Sequence, residues 1–110
     1  MSKFSLNAEA DPTTLGWVFE ARAVSAGTGR DPSARVMLAE EAARQFTLAG
    51  DLRNACLQET SLGFACVETG ANAQAEQALT SALALGERLG LSNSIPIARA
   101  QLGRALVASG

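Results

Sequence analysis

Enzyme and metal chemistry need particular side chains at particular spacings, and this chain has few of them. It contains no histidine, which removes the Ser-His and Cys-His pairs of nucleophilic catalysis and the imidazole ligands of metal sites. Its two cysteines, Cys56 and Cys66, are ten residues apart. On one helix, a rise of about 1.5 Å per residue separates them by about 15 Å. A disulfide needs Cα atoms within about 7 Å, so the pair reads as two free, helix-packing thiols in a reducing compartment. Glu40 and Glu41 are neighbours, and adjacent side chains on a helix diverge by about 100°, which makes a solvated face and not a metal clasp. Gly27-Thr28-Gly29-Arg30-Asp31 has the glycines of a phosphate cradle, but it lacks the Gly-Lys-Ser/Thr ending and follows no strand. It reads instead as a helix end, a turn and a new helix cap. With no nucleophile beside a base and no cofactor motif, the sequence reads as non-catalytic.

Charge and hydropathy narrow the class further. The 110 residues carry 9 basic and 11 acidic side chains, for a net charge of −2. The charges are dispersed, without the basic stripe that nucleic acid requires. No apolar run approaches the roughly 20 residues that span a bilayer. The first ten residues hold only scattered apolar positions and not the continuous core of a secretion signal. These features predict a cytoplasmic protein with no membrane and no nucleic-acid partner. Apolar residues make up 47%, enough for one small folded domain.

Helices must position whatever this chain presents. Gly50, Gly70, Gly90 and Gly110 recur every 20 residues, and Asp11-Pro12 and Asp31-Pro32 keep the same interval. Glycine closes helices in the left-handed conformation, Asp, Asn or Ser caps the next one, and proline suits the first turn. Asp51 and Asn72 follow the first two of these glycines and are expected caps, and Ser92, Asn93 and Ser94 compete for the cap after Gly90. Between these marks the 22 alanines and 14 leucines dominate together with Glu, Arg and Gln, all good helix formers. The spacing predicts five helices, over 12–27, 32–49, 52–69, 73–89 and 94–109. Connections this short make sequential helices antiparallel. Residues 1–10 form an N-terminal extension and 11–110 the helical domain. Gly63 and Gly103 interrupt helical stretches 40 residues apart, each after a leucine, so both are expected at close helix crossings and the unit is a helix pair of about 40 residues.

Leu62, Gly63, Cys66, Ala75, Leu79 and Ala82 carry the spacing of a tetratricopeptide repeat, and the segment Leu62–Ala82 resembles that family. Leu102, Gly103 and Leu106 repeat the first half, while Ala23 and Ala26 hold the corresponding places in the first unit. Glu59 and Arg99 stand where the family has a large apolar residue, Glu87 stands at its usual proline, and the period exceeds the customary 34 or so residues. The lengthened unit is similar to the long-form repeats of large bacterial signalling proteins. The resemblance implies an all-α array of tandem antiparallel helical hairpins in a right-handed superhelix. It also implies a protein–protein interaction or scaffold role, with a partner segment in the concave groove.

In that family the groove is lined by one face of each first helix. Carried onto this chain, the groove residues are Trp17, Glu20 and Val24 in the first unit and Thr60, Phe64 and Glu68 in the second, with Leu57 and Val67 beside them. Arg104 follows at the end, with Ile97, Ala100 and Val107. Phe19 and Phe46 are expected in the core. The groove has no lysine, which argues against a receptor for C-terminal carboxylates. The protein or peptide partner is not identified by these residues. The alternative is a homo-oligomer that pairs through exposed end helices and has no separate ligand; a small-molecule sensor finds few converging polar groups.

Overall fold

The computed structural model describes residues 11–28 and 31–109. Within them lie five α-helices: α1 (Pro12–Thr28), α2 (Pro32–Leu48), α3 (Leu52–Thr69), α4 (Asn72–Leu89) and α5 (Ser94–Ser109). Every boundary falls within one residue of the sequence expectation. The capping chemistry explains this agreement. The carboxylates of Asp11, Asp31 and Asp51 accept from the backbone N–H of Thr14, Ala34 and Asn54, which satisfies donors the helix itself leaves free. Gly50, Gly70 and Gly90 all have positive φ, between 69° and 80°, the conformation that ends a helix at little cost only for glycine.

One expected cap is not a cap. Asn72 is already the first residue of α4; Ala71 precedes it and makes no side-chain cap bond, and Asn72 Oδ1 is buried without a partner. Of the three candidates before α5, Ser92 lies in the turn and Ser94 is already helical, which leaves Asn93 as the residue directly before the helix. Both helix starts follow from the preceding Gly closure. The N–H groups of Ala71 and Leu91 bond back to the carbonyls of Cys66 and Gly86, so each new helix starts where the chain leaves that closure. Residues 1–10, Gly29, Arg30 and Gly110 lie outside the described residues.

Consecutive helices pack against one another throughout, and α3 also packs on α5. The hairpins are antiparallel. A methyl group placed on Gly16, early in α1, would lie 2.8–2.9 Å from the ring of Phe46, late in α2, while Gly27 at the other end of α1 faces Arg35 in the first turn of α2. The array is 19 Å thick along its shortest axis, which is two helix layers. The odd-numbered helices form one layer and α2 and α4 the other.

The core is built on small residues that admit one large one. In the first hairpin Gly16 receives Phe46, which is fully buried. Forty residues on, Cys56 and Gly86 stand in those places, and a methyl on Gly86 would sit 3.7 Å from Cys56 Sγ. At a second crossing, Gly63 admits Leu79, also fully buried; the first hairpin has Ala23 and Ala39 there, both buried. The two hairpins therefore share a register and exchange sizes across it. All six positions of the Leu62–Ala82 pattern are buried. Gly103 departs from expectation. It is exposed, and no described atom lies within 4 Å of a methyl built on it, because among the described residues no helix packs on that side of α5.

Cys56 and Cys66 are both free and buried on the continuous helix α3. The Cys56 thiol donates to the carbonyl of Ala82 at 3.3 Å. Burial, reinforced by Glu59 beside Cys56 and Glu40 near Cys66, pushes both thiols above their ordinary range. A raised thiol pKa lowers the reactive thiolate fraction. Both cysteines should therefore resist an aromatic disulfide reagent in the native protein and titrate fully in denaturant. A native monomer in which Cys56 is crosslinked to Cys66 would contradict a continuous α3.

Candidate peptide-binding groove

The odd-helix layer carries two neighbouring clefts. The first, about 270 Å³, opens between α1 and α3, with Glu20 and Val24 on one side, Gln58 and Ser61 on the other, and Ala39 and Arg35 of α2 behind. It exists because α3 and α5 pack directly whereas α1 and α3 are not a closely packed pair. The second, about 250 Å³, lies between α3 and α5 and is lined by Thr60, Phe64, Ile97 and Gln101. Arg35 and Ser61 line both, so the two form one surface.

Arg35 is the centre of that surface. It leaves the first turn of α2 and lies along Gly27, where a methyl would come within 3.2 Å of its Cδ. Its Nη1 donates to Glu68 Oε1 at 2.9 Å, and its guanidinium carbon sits 5.3 Å from the centroid of the Phe64 ring. The side chain is only 25% exposed. A guanidinium held by a carboxylate and an aromatic face is preorganised, so little further ordering is required when a ligand arrives.

Five of the seven residues that the family likeness placed in a groove thus meet around Arg35: Glu20 and Val24 in the first cleft, Thr60 and Phe64 in the second, and Glu68 on the guanidinium. The other two lie elsewhere. Trp17 is 49% exposed but lines neither cleft; its ring packs edge-on against Phe46, centroids 5.0 Å apart at 81°. Arg104 lies on the free side of α5, with Ala100, Gly103 and Val107 around a shallow depression, and its Nη1 donates to Gln101 Oε1 at 3.3 Å. Arg35 itself went unnoticed in the sequence. It belongs to an even-numbered helix and finds Glu68 at a separation of 33 residues, a spacing with no local signature.

The opposite face carries a cleft of about 400 Å³ between α2, α3 and α4, where Glu40, Leu48, Glu59, Leu62 and Gln77 converge. Burial pushes the Glu59 carboxyl above its ordinary value, against the hydrogen bonds it accepts from Ser81 Oγ. A carboxyl raised in the folded state favours folding below its unfolded pKa and loses that contribution as pH rises through the higher folded value. Glu59→Gln should therefore leave stability unchanged near pH 4 and preserve or raise it at pH 7, read by urea unfolding at both pH values. A loss of stability at pH 7 would show that the charge is held favourably.

Among the described residues no group of three or more His, Cys, Asp or Glu side chains is arranged to hold a metal ion, and no helix is long and apolar enough to cross a membrane. Set against protein-family models, curated proteins and solved structures, the chain matches none.

Proposed function

We propose that this chain is a non-catalytic, tetratricopeptide-like interaction module of the cytoplasm that binds a segment of a partner protein along the odd-helix layer, as a regulatory piece of a larger bacterial signalling protein. The observation that carries this reading is the continuous surface formed by the two clefts, with Arg35, Phe64 and Glu68 locked together between them. It joins apolar area to fixed polar groups, the mixture found at the centre of protein interfaces. The 40-residue register and the six buried pattern positions support the family likeness. The test is capture of a partner from the source lysate on the immobilised chain, with Phe64→Ala as the paired control. A partner retained by the parent and lost by the folded variant supports the groove; equal retention by both counts against it.

A specific observation keeps the second reading in play. The free side of α5 exposes Val107 with Ala100, Gly103 and Ala108 around a shallow depression, and Leu106 is exposed on the same helix, an apolar patch of the kind that pairs copies of a chain. Light scattering across a concentration series separates the two readings. A monomer at every concentration removes the oligomer; a dimer that Val107→Glu dissolves favours it.

A further inference from the structure

We infer that the cleft between α1 and α3 is a subsite for a basic side chain, lysine or arginine, of the partner segment; this rests on the odd-helix layer being the binding surface. Gln58 points to a ligand first. It is only 7% exposed and lines this cleft, yet among the described residues its side-chain amide has no hydrogen-bond partner. An amide that the protein leaves without a partner and that opens only onto a cleft is satisfied there by what enters the cleft, water or an incoming polar group.

An amide both donates and accepts, so Gln58 alone does not choose the ligand. Glu20 does. It stands on the opposite wall, and no ion pair or hydrogen bond within the described residues engages its carboxylate. Among the described residues lining the cleft the one cation, Arg35, is neutralised by Glu68 at 2.9 Å and covered on one face by Phe64. Among the described residues the uncompensated charge of the cleft is therefore negative. Between the polar groups the lining is Ala23, Val24 and Ala39, suited to a run of methylenes. Lysine and arginine bury an aliphatic stem in this way and hold the charged head against acceptors. In such a complex the head donates to the Glu20 carboxylate and to the Gln58 side-chain carbonyl, with the Ser61 hydroxyl as a further acceptor. A carboxylate ligand would meet Glu20 and would find in Arg35 a guanidinium whose charge Glu68 already offsets. A hydrocarbon would leave Gln58 unpaired.

The test is a chemical-shift titration of the whole isotope-labelled chain with Nα-acetyl-arginine amide and Nα-acetyl-lysine amide. The Nα-acetyl amides of glutamate and norleucine serve as controls. The basic compounds should shift Glu20, Val24, Gln58 and Ser61 saturably, with binding that weakens in salt. Glu20→Gln should weaken it about fivefold, the size of one partly exposed charge pair, and Gln58→Leu should weaken it as well, provided both variants keep the parent's helical spectrum. Saturation of the same positions by the glutamate compound would overturn the inference. So would the absence of any shift there with the basic compounds, or an unchanged affinity in Glu20→Gln. If the titration fails while Phe64→Ala still abolishes capture of a partner, the basic subsite falls and the groove stands; if both fail, the groove falls with it.

Discussion

Phe46→Ala should destabilise the protein by about 3–5 kcal/mol, the range for truncating a buried aromatic. Phe46 is the largest fully buried side chain among the described residues, and its ring fills the space that Gly16 leaves open. Gly16 cannot grow to refill the hole, and Trp17 covers only one edge of the ring. For a domain of this size the loss corresponds to a fall of about 10 °C or more in melting temperature. Trp17 fluorescence should shift to the red in the folded variant as its apolar neighbour disappears. A variant that melts within a few degrees of the parent would mean that α1 and α2 do not cross at Gly16.

The second large effect is a contrast between two glycines that share the pattern Leu-Gly-x-Ala-x-Val. A methyl on Gly63 would overlap Leu79 Cγ and Cδ2, and Leu79 is fully buried with no free volume to enter. Gly63→Leu should therefore cost about 1–3 kcal/mol or more through overpacking. Leu79→Ala should cost about 2–5 kcal/mol by itself, and combining it with Gly63→Ala should recover part of that loss, because the new methyl enters the vacated space. Gly103→Ala should behave oppositely. With no described atom near it, alanine only removes the helix penalty of glycine, a gain of about 1 kcal/mol. Urea unfolding of these variants reads both signs. Destabilisation by Gly103→Ala would show that its side of α5 is occupied.

The residues that made the fold legible act locally. Asp31 and Asp51 cap the helices that follow them, and Gly70 and Gly90 close those that precede them, within four residues in each case, so an interval of 20 was enough to set five helices. Gly63 could be placed at a crossing because the Leu-Gly pair and Leu79 keep a fixed offset. Gly103 shares the Leu-Gly-x-Ala-x-Val pattern and has no crossing, because a crossing also needs a second helix, which the residues around a glycine do not encode. Gly16 and Gly86 show the converse. Each contributes to a crossing, but their partners Phe46 and Cys56 lie 30 residues away, beyond any helical period, and the sizes exchange between the two hairpins.

The candidate site was legible to the extent that it follows one helix face. Thr60, Phe64 and Glu68 recur at four-residue steps along α3 and reach the surface together. Arg35 comes from the other layer, and its contribution arises only when α2 packs against α3 and brings it to Glu68 and Phe64. Trp17 was placed by the repeat interval, but the attraction of its ring to Phe46 holds it outside the clefts. Gln58 carries no signal in the sequence; the gap between α1 and α3 makes it a wall of a cleft.

The most direct test of the groove is the affinity of the captured partner, measured by calorimetry, for four folded proteins: the parent, Phe64→Ala, Glu40→Ala and Gln77→Ala. Phe64 lies at the centre of the surface, and truncating a central aromatic should cost about 2 kcal/mol or more in binding. The substitutions at Glu40 and Gln77, on the opposite cleft, should leave the affinity of the parent intact. Unchanged binding by Phe64→Ala together with weakened binding by Glu40→Ala or Gln77→Ala would move the working surface to the face shared by α2 and α4 and contradict the groove.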